Sequence, residues 1–464
     1  MTPDPQKLSA PVLVIGGGIS GLACGYYLRK AGIPALVLEQ SARPGGYISS
    51  LHRDGCILEL GPQSFLSTDP LLEMVHDLGL DPELLPADPR APRYVLIAAK
   101  LRAVPLAPPK LLTSSLLGLR TKWGFLREAF GHSRPPADDE SIAAFVRRKF
   151  TAELLDRLAG PFVSGIYAGD PERLSLRAAF PSAHQWETQF GSVLRGASKS
   201  RPAKGARRHS LISFRRGNHT LVEGLAKSLD DALHCGAFVE SISRNTAEPK
   251  QGFSVKISQA GRQTTLTASS IIVTTPADAA GRLLREISPE FDALLKPVEY
   301  APVAVISTLY RAERIGLPLN GFGFLVPRTE GLNILGTVWN SSLFPGRAPE
   351  GFALLTSFAG GPVNPSFLDG DDATITNRIA RELATILHIH GQPEHCTITR
   401  HVRALPQYNL GHSQRIAALR KLSSSFPGLF LAGNYLEGPS VGACIDLALR
   451  TGQQAREYLA SCPV

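Results

Sequence analysis

The sequence has few cysteines, and none of them is spaced like a metal ligand. Its six cysteines are scattered along 464 residues without a Cys-x-x-Cys pair, at Cys24, Cys56, Cys235, Cys396, Cys444 and Cys462. This spacing gives no support for a zinc site or an iron–sulfur cluster, so we predict no metal. Scattered cysteines are typical of a reducing compartment, and we predict a cytoplasmic protein.

Long hydrophobic runs are also scarce. The one charge-free stretch long enough to attract attention, residues 8–28, contains a glycine-rich turn, and its N-terminal flank carries two prolines and Asp4 beside Lys7. These features are untypical of a signal peptide or a membrane span, and we expect neither.

Acidic residues are outnumbered. The chain has 49 Lys and Arg against 40 Asp and Glu, a formal charge of +9, with 43% hydrophobic residues. The excess favours anionic partners: phosphates, a carboxylate substrate or an anionic membrane surface. No aromatic–basic recognition motif accompanies it, so we do not predict nucleic-acid binding. The length allows two or three domains with a large core.

The strongest local signal is the first strand and turn. The apolar stretch Val12–Ile15 leads directly into Gly16-x-Gly18-x-x-Gly21, and a helical segment follows. This pattern predicts a dinucleotide-binding turn, in which Ile19 and Ser20 open a helix whose free N–H groups face a pyrophosphate. A second predicted strand ends in Glu39, 18 residues past Gly21, where a carboxylate would hold the adenosine ribose. Gln40 follows it directly.

Two further glycine-containing loops follow. The first is Arg43-Pro44-Gly45-Gly46-Tyr47, and the second is Gly61-Pro62-Gln63-Ser64. An arginine and flexible backbone suit a second diphosphate contact. Three such loops within 65 residues indicate a ligand larger than a nucleotide monophosphate.

The C-terminal segment carries a second strong signal. A predicted strand at 429–432 ends at Gly433 and Asn434, and Ser440-Val441-Gly442 opens the long final helix. The helix start would suit a flavin. Val239, on a predicted strand after Gly236, would place its backbone against an adenine ring. The terminal signals must meet in one domain, so we predict a discontinuous cofactor domain with a β-rich insertion at 301–358.

The central part is less specific. The helical stretch at 110–130 reads as a basic amphipathic helix pair, either a membrane-interface element or a lid packed on its own protein. Residues 160–170 are rich in glycine, proline and aromatics, and we predict a pocket-shaping loop. Residues 195–216 contain many Lys and Arg and no acid. We interpret them as a solvated basic loop, with attraction to anionic lipid as the alternative.

These residues resemble a known family. The Gly16–Gly21 turn, Glu39, the Arg43 loop and Gly433-Asn434 are similar to the FAD-dependent amine oxidase superfamily. Within it, Gly165–Pro171, Gly321–Pro327, Leu405–Tyr408 with Gly411-His412, and Ser440–Gly442 resemble the oxygen-dependent protoporphyrinogen oxidase family.

The resemblance implies an α/β fold. It implies a discontinuous FAD domain of p-hydroxybenzoate-hydroxylase-like topology, an inserted antiparallel-sheet substrate domain and an α-helical membrane-associating domain. The expected boundaries are 1–88, 206–275 and 405–464 for the FAD domain, 89–108 and 276–404 for the substrate domain, and 109–205 for the helical domain.

The resemblance also implies the reaction. Non-covalent FAD would oxidise protoporphyrinogen IX to protoporphyrin IX late in haem biosynthesis, and O2 would reoxidise the flavin to give peroxide. Arg93 would pair with a substrate propionate, and Phe322 and Leu325 would pack on the tetrapyrrole. Gly165 would approach the macrocycle through its backbone, and Phe358 would flank it. Flavin N5 would accept the hydride, and water would accept the pyrrole protons. No catalytic side chain is therefore assigned.

Several alternatives stay open at this point. Coproporphyrinogen III is the second candidate substrate. A flavin amine oxidase or carotenoid desaturase is the nearest rival enzyme; an amine oxidase would need two aromatics flanking the flavin, for which Tyr435 is the one obvious candidate. A non-catalytic flavin-containing binder of haem precursors is another class. We also expect product handover to ferrochelatase, a monomer or homodimer, and peripheral attachment to the cytoplasmic face of the inner membrane as the alternative location.

Overall fold

The computed structural model describes residues 10–105, 108–200, 209–244 and 252–461. Within the predicted basic loop at 195–216, residues 201–208 lie outside these ranges, and so does Cys462. No helix within the described ranges is both long and apolar enough to cross a membrane.

The strands, numbered in chain order, are β1 Val12–Ile15, β2 Ala35–Glu39, β3 Ser50–Arg53, β4 Cys56–Glu59, β5 Phe65–Leu66, β6 Leu84–Pro86, β7 Arg93–Ile97, β8 Lys100–Val104, β9 Leu211–Phe214, β10 Leu233–Cys235, β11 Ala237–Arg244, β12 Phe253–Gln259, β13 Arg262–Ala268, β14 Ser270–Val273, β15 Tyr300–Arg311, β16 Gly323–Leu325, β17 Ile334–Trp339, β18 Phe352–Gly360, β19 His395–Pro406 and β20 Leu429–Leu431. The α-helices are α1 Ile19–Lys30, α2 Asp69–Asp77, α3 Pro108–Thr113, α4 Leu119–Phe130, α5 Ile142–Lys149, α6 Ala152–Leu154, α7 Gly160–Tyr167, α8 Leu176–Ala179, α9 Pro181–Phe190, α10 Val193–Lys199, α11 His219–Leu229, α12 Ala277–Leu284, α13 Pro289–Leu295, α14 Asn340–Leu343, α15 Asp372–Leu387, α16 His412–Ser424 and α17 Val441–Ser461.

A five-stranded parallel sheet is built from three distant parts of the chain. Its strand order is β10-β2-β1-β14-β20, and every neighbouring pair is parallel. All four residues of β1 are buried, as is typical of a strand covered on both faces. The predicted discontinuous α/β cofactor domain is therefore confirmed.

A seven-stranded sheet forms the insertion, in the order β19-β15-β18-β17-β16-β7-β8. We predicted an antiparallel sheet, but β16 and β7 pair in parallel. The long helical insertion between these strands removes the hairpin constraint that favours antiparallel neighbours, so β16 can run in the same direction as β7. One face packs on α15 through Ile375, Ile379 and Leu383. The opposite face carries the candidate substrate residues.

The helical region 108–200 has its own core, which includes Leu116, Ile142, Val163 and Leu174. The predicted helix pair at 110–130 is confirmed as α3 and α4.

The structure corrects the predicted loop at 160–170. Residues Gly160–Tyr167 form α7, which continues from a π-helical turn at Leu155–Ala159. Pro161 lies just after this π-helical turn, where the regular i→i−4 hydrogen-bond pattern that a proline interrupts is already broken. Burial of Val163 and Tyr167 then stabilises the helix, and Ala168 ends it in a left-handed conformation at φ 47°.

The predicted helical segment at 276–296 consists of two helices, α12 and α13. Both pack in the core that contains Leu13 and Ile271 of the parallel sheet, although the predicted substrate domain begins at 276. The domain boundaries stay a prediction.

Candidate active site

The turn after β1 leaves an open position at the start of α1. Gly16 has φ 108°, and a methyl group added at Gly21 would lie 1.8 Å from the Gly16 carbonyl oxygen. Gly18 is the N-cap residue of α1, and no side chain caps this end. A methyl group added at Gly18 would meet nothing within 4 Å. The free N–H groups at this open helix start, where Ile19 and buried Ser20 lie, fit a pyrophosphate.

The Arg43 loop lies against this turn. The Gly45 N–H donates to the Gly17 carbonyl oxygen at 2.8 Å, and a methyl group added at Gly46 would lie 3.4 Å from the Gly18 Cα. The exposed Arg43 guanidinium donates to the Gly46 carbonyl oxygen at 3.2 Å. The loop predicted to make the second diphosphate contact therefore lies beside the turn predicted to make the first.

The expected ribose carboxylate is held by backbone. Oε2 of Glu39 accepts from the Gly17 N–H at 2.6 Å, and Oε1 accepts from the Ser41 N–H at 2.7 Å. The Gly236 N–H donates to the Ser41 carbonyl oxygen at 2.9 Å, which brings Val239 on the edge strand β11 close to this end of the sheet. Gln40 is exposed.

The Gly61 loop packs on the Arg43 loop. A methyl group added at Gly61 would lie 2.0 Å from the Tyr47 carbonyl oxygen, so only glycine fits. Gln63 is buried, and its Nε2 donates to the Glu59 and Gly61 carbonyl oxygens. The Pro62 carbonyl oxygen accepts from the side-chain amide of Asn218, just before α11. Ser64 is half-buried.

The C-terminal loop joins the same region. Gly433 has φ 156°, and half-buried Asn434 follows it. Ser440 Oγ accepts from the Ala443 N–H at 3.2 Å at the start of α17. A methyl group added at Gly442 would lie 2.9 Å from the Leu66 carbonyl oxygen, close after the Gly61 loop. Val441, the first residue of α17, is half-buried.

The predicted FAD residues form this cradle. Thr275, whose Cγ2 would lie 3.4 Å from a methyl group added at Gly16, has a buried hydroxyl without a partner among the described residues. An open helix start and an unpartnered hydroxyl fit a polar dinucleotide such as FAD.

A buried ion pair lies behind the Gly61 loop. Arg347 Nη1 is 2.9 Å from Glu59 Oε1, and both side chains are 2–3% exposed. Glu59 also accepts from the Ser50 hydroxyl and the Asn218 N–H. Burial raises the pKa of Glu59, while Arg347 and these donors oppose the rise. The pair links the cofactor domain to the seven-stranded sheet.

The candidate substrate residues Leu325 and Phe358 lie in one row across the seven-stranded sheet. Leu325 pairs with Gly336, and Gly336 pairs with Phe358. Paired residues share a face, so Leu325 and Phe358 flank a position without a side chain. Gly165 of α7 faces this row, because a methyl group added there would lie 2.8 Å from Leu325 Cδ2.

Phe322 and Arg93 complete the wall. Phe322 and Phe358 pack on the same buried cluster, which contains Val338 and Phe344. The Arg93 guanidinium carbon lies 5.5 Å from the centre of the Phe322 ring, and Arg93 is exposed. The five predicted substrate residues thus form one apolar wall with a cation at its rim.

Sequence reasoning missed three residues of this region. Gly336 has no motif of its own and is found only from the strand register. Phe162 and Ile166 flank Gly165 on α7 and are 51% and 37% exposed despite their size. Their i, i+4 spacing would have placed them beside Gly165 if the segment had been predicted as a helix.

Tyr435 does not provide an aromatic wall. It is fully buried in the core between the parallel sheet and its neighbours. The amine oxidase alternative loses its one candidate for a ring flanking the flavin.

Comparison with known proteins extends over nearly the whole chain. A family model described as "Flavin containing amine oxidoreductase" matches residues 19–458. A protein named protoporphyrinogen oxidase, chloroplastic, from Oryza sativa subsp. japonica is 33% identical, and the match covers 98% of this chain and 89% of the relative. A protein named coproporphyrinogen III oxidase from Bacillus subtilis is 32% identical over 97% of this chain and 98% of the relative. A crystal structure from Exiguobacterium sp. 255-15 superposes with a TM-score of 0.80 at 24% identity and covers 97% of this chain and 98% of that one.

Proposed function

Since this chain belongs to the flavin containing amine oxidoreductase family, we propose that it is an FAD-dependent, O2-using oxidase of porphyrinogens in haem biosynthesis. Protoporphyrinogen IX is the first candidate substrate and coproporphyrinogen III the second. Relatives named for each are almost equally similar, at 33% and 32% identity. The choice between the two therefore needs a direct measurement.

The observation that carries the proposal is the wall beside the cofactor cradle. A porphyrinogen is a large apolar macrocycle with carboxylates at its edge. It needs an apolar surface and a nearby cation. Phe322, Leu325 and Phe358 supply the surface, and Arg93 supplies the cation.

When bound, FAD supplies a two-electron acceptor for hydride from the macrocycle and passes the electrons to O2, which gives peroxide. The chain's own residues bind and orient. The backbone at Gly18 and the Arg43 loop would cradle the diphosphate, and Glu39 would hold the ribose. Gly165 and Gly336 let the backbones of α7 and β17 approach Leu325 closely, and the apolar wall would shield the macrocycle from water. Pyrrole N–H protons leave to water at the open rim near Arg93.

The test uses purified protein carrying FAD, with protoporphyrinogen IX and coproporphyrinogen III added separately in air. Porphyrin fluorescence is followed against a control without enzyme. Faster porphyrin formation with one substrate supports the proposal and identifies the substrate. Bound FAD without acceleration by either substrate would contradict it.

A variant pair tests the site itself. Arg93→Met removes the rim cation, and we expect KM for the porphyrinogen to rise about tenfold or more, because hydrogen bonds to charged groups contribute about 1.5–3 kcal/mol. Arg244→Met is the matched control, since Arg244 also lies over a phenyl ring, at 4.9 Å from Phe253 on the outer three-stranded sheet. Equal KM values in the two variants would show that Arg93 does not bind the substrate.

We further propose that helix α4 attaches the enzyme to an anionic membrane surface. The polarity of α4 is inverted: its buried residues are Thr121, Gly124 and Glu128. Glu128 lies 3.1 Å from buried Lys149 and accepts from the Val193 N–H at 2.7 Å. A helix of a water-soluble protein normally buries its apolar face instead.

The outward face of α4 is apolar and flanked by cations. Leu119, Trp123 and Phe130 are 83%, 70% and 85% exposed, and Arg120 and Arg127 lie beside them. Aromatic and leucine side chains with neighbouring cations favour the interface of an anionic bilayer. This arrangement argues against the alternative of a lid packed on its own protein.

Vesicle binding tests the proposed attachment to an anionic membrane surface. The protein should bind vesicles that contain phosphatidylserine, and the Trp123→Ser/Phe130→Ser variant should not. Val402→Ser is the control, because Val402 is 77% exposed on β19, away from α4. Failure of the wild-type protein to bind would contradict membrane attachment. Handover to ferrochelatase and a monomeric or homodimeric state stay predictions.

A further inference from the structure

The segment 405–412 carries a motif to which the proposed function gives no role. Its residues Gln407, Tyr408 and His412 are 3%, 1% and 2% exposed. The segment lies between the C-terminal cofactor loop at 433–435 and helix α7. Each of the three side chains makes a specific contact to one or both of these elements.

On the cofactor side, two neighbouring side chains hold two consecutive carbonyl groups. The Tyr408 hydroxyl donates to the Asn434 carbonyl oxygen, and His412 Nε2 lies 2.9 Å from the Tyr435 carbonyl oxygen. The two rings stack at 4.4 Å with an interplanar angle of 9°. Because a carbonyl oxygen only accepts, Nε2 carries the proton. The orientation of both peptide groups is thereby fixed.

On the substrate side, the segment holds the end of α7. Gln407 Nε2 donates to the Tyr167 carbonyl oxygen at 2.9 Å, and the Tyr408 and Tyr167 rings lie 5.6 Å apart. Tyr167 is two residues after Gly165, which faces Leu325. Tyr408 therefore contacts the cofactor loop through its hydroxyl and the end of α7 through its ring.

The segment is itself anchored in the helical region. The Asp139 carboxylate accepts from the Gly411 N–H at 3.0 Å and from the Ser175 hydroxyl at 2.7 Å. The Ser175 N–H donates to the Tyr408 carbonyl oxygen at 2.8 Å. These contacts leave the segment little freedom to shift between the two elements it joins.

We propose that Gln407, Tyr408 and His412 are positioning residues that fix the spacing between the cofactor loop and the α7 wall. The proposal rests on the proposed function, which assigns these two elements to FAD and to the macrocycle. Loss of one contact would leave each ligand site able to bind but would displace one relative to the other. Hydride transfer is sensitive to such displacement, since about 1 Å can change a rate about a hundredfold.

The test compares Tyr408→Phe, His412→Leu and His412→Gln. Tyr408→Phe removes only the hydroxyl, and Gln at 412 offers an amide N–H in place of Nε2–H. Tyr27→Phe is the matched control, because the Tyr27 hydroxyl also donates to a backbone carbonyl, that of Pro70 at 3.3 Å. For each variant we measure FAD affinity, porphyrin affinity by fluorescence quenching, the rate of anaerobic flavin reduction by the porphyrinogen, and the visible circular dichroism of bound FAD.

We expect flavin reduction to slow about tenfold or more in Tyr408→Phe and His412→Leu, with both affinities within about threefold of wild type. His412→Gln should recover most of the rate, and Tyr27→Phe should match wild type. Unchanged reduction rates in Tyr408→Phe and His412→Leu would overturn the proposal, and so would a loss of rate explained entirely by loss of FAD.

A failure of the proposed function has a different signature, because the wild-type protein would then bind FAD but be reduced by neither porphyrinogen. The proposal is then judged on circular dichroism alone. The FAD signal must change in His412→Leu and return in His412→Gln, and an unchanged signal overturns it.

Discussion

Replacing Arg347 by methionine tests the buried ion pair that joins the cofactor domain to the seven-stranded sheet. The substitution leaves Glu59 almost fully buried with only the Ser50 hydroxyl and the Asn218 N–H on its carboxylate. Burial already raises the pKa of Glu59 above its ordinary 4.5, and the Arg347 charge is the largest influence opposing that rise. Without Arg347, the pKa of Glu59 in the folded protein should rise further.

The cost of this change depends on pH in a definite direction. The unfolded chain releases the proton near the ordinary value, whereas the folded variant retains it. The folded state therefore binds more protons, and stability falls as pH rises. The loss should therefore be larger at pH 7 than at pH 5, and breaking a buried pair costs about 3–5 kcal/mol.

Thermal and chemical unfolding at pH 5 and pH 7 measure this loss. With an unfolding entropy of about 2.1 cal/mol/K per residue, a 464-residue chain should lose at least about 3 °C in Tm at pH 7. If a smaller part of the chain unfolds cooperatively, its unfolding entropy is smaller and its Tm should fall further.

Two comparison variants separate the ion pair from packing. The Glu59→Met/Arg347→Met variant buries no charge and should recover most of the lost stability. Arg311→Met removes an exposed partner of Glu394 at 3.0 Å and should cost less than about 1 kcal/mol at both pH values. A loss in Arg347→Met that is equal at pH 5 and pH 7, or a double variant as unstable as the sum of the single variants, would refute the reasoning.

Three further predictions concern the site. Gly165→Val places a branched side chain against Leu325 and should lower kcat/KM for the porphyrinogen about tenfold. The visible absorbance of bound FAD should stay unchanged. Unchanged kinetics would show that the macrocycle does not approach Gly165. Glu39→Ala should raise the FAD dissociation constant about tenfold to a hundredfold, measured by titrating the apoprotein, and an unchanged constant would contradict the ribose contact. Burial lowers the pKa of His412 from 6.5 to about 4, so the unfolded chain binds more protons between these values and stability should fall by up to about 3.4 kcal/mol as pH drops from 6.5 to 4. Chemical denaturation across this range should show a weaker dependence in His412→Gln, and equal slopes would contradict a buried neutral imidazole.

Local sequence was sufficient for the cofactor turn and the final helix. Gly16, Gly18 and Gly21 lie within six residues, and two of these positions fit only glycine: Gly16 with its φ of 108° and Gly21 against the Gly16 carbonyl oxygen. Glu39 could be placed because a strand, a turn, a helix and a second strand have nearly fixed lengths. The family motifs around Gly165 and Phe322 identified the candidate substrate residues before any contact between them was known.

Tertiary structure decided what depends on distant partners. The 160–170 segment contains glycine and proline, and its helix forms because Val163 and Tyr167 find a core to pack in. The parallel pairing of β16 with β7 follows from the long insertion between them, which no local pattern records. The same holds for the bond between Arg347 and Glu59 and for the contacts of Tyr408 and His412.

Helix α4 shows most clearly which features local sequence determines and which features depend on tertiary structure. Its sequence determines an amphipathic helix with apolar and basic faces, because side-chain spacing along one helix is local. Which face points outward is a property of the whole protein. The carboxylate of Glu128 finds Lys149 and the start of α10 in the interior, so Trp123 and Phe130 are left on the surface. The sequence by itself determined the cofactor turn, the helix and the family, whereas the relative placement of walls, ion pairs and exposed faces required the long-range contacts that only the folded chain makes.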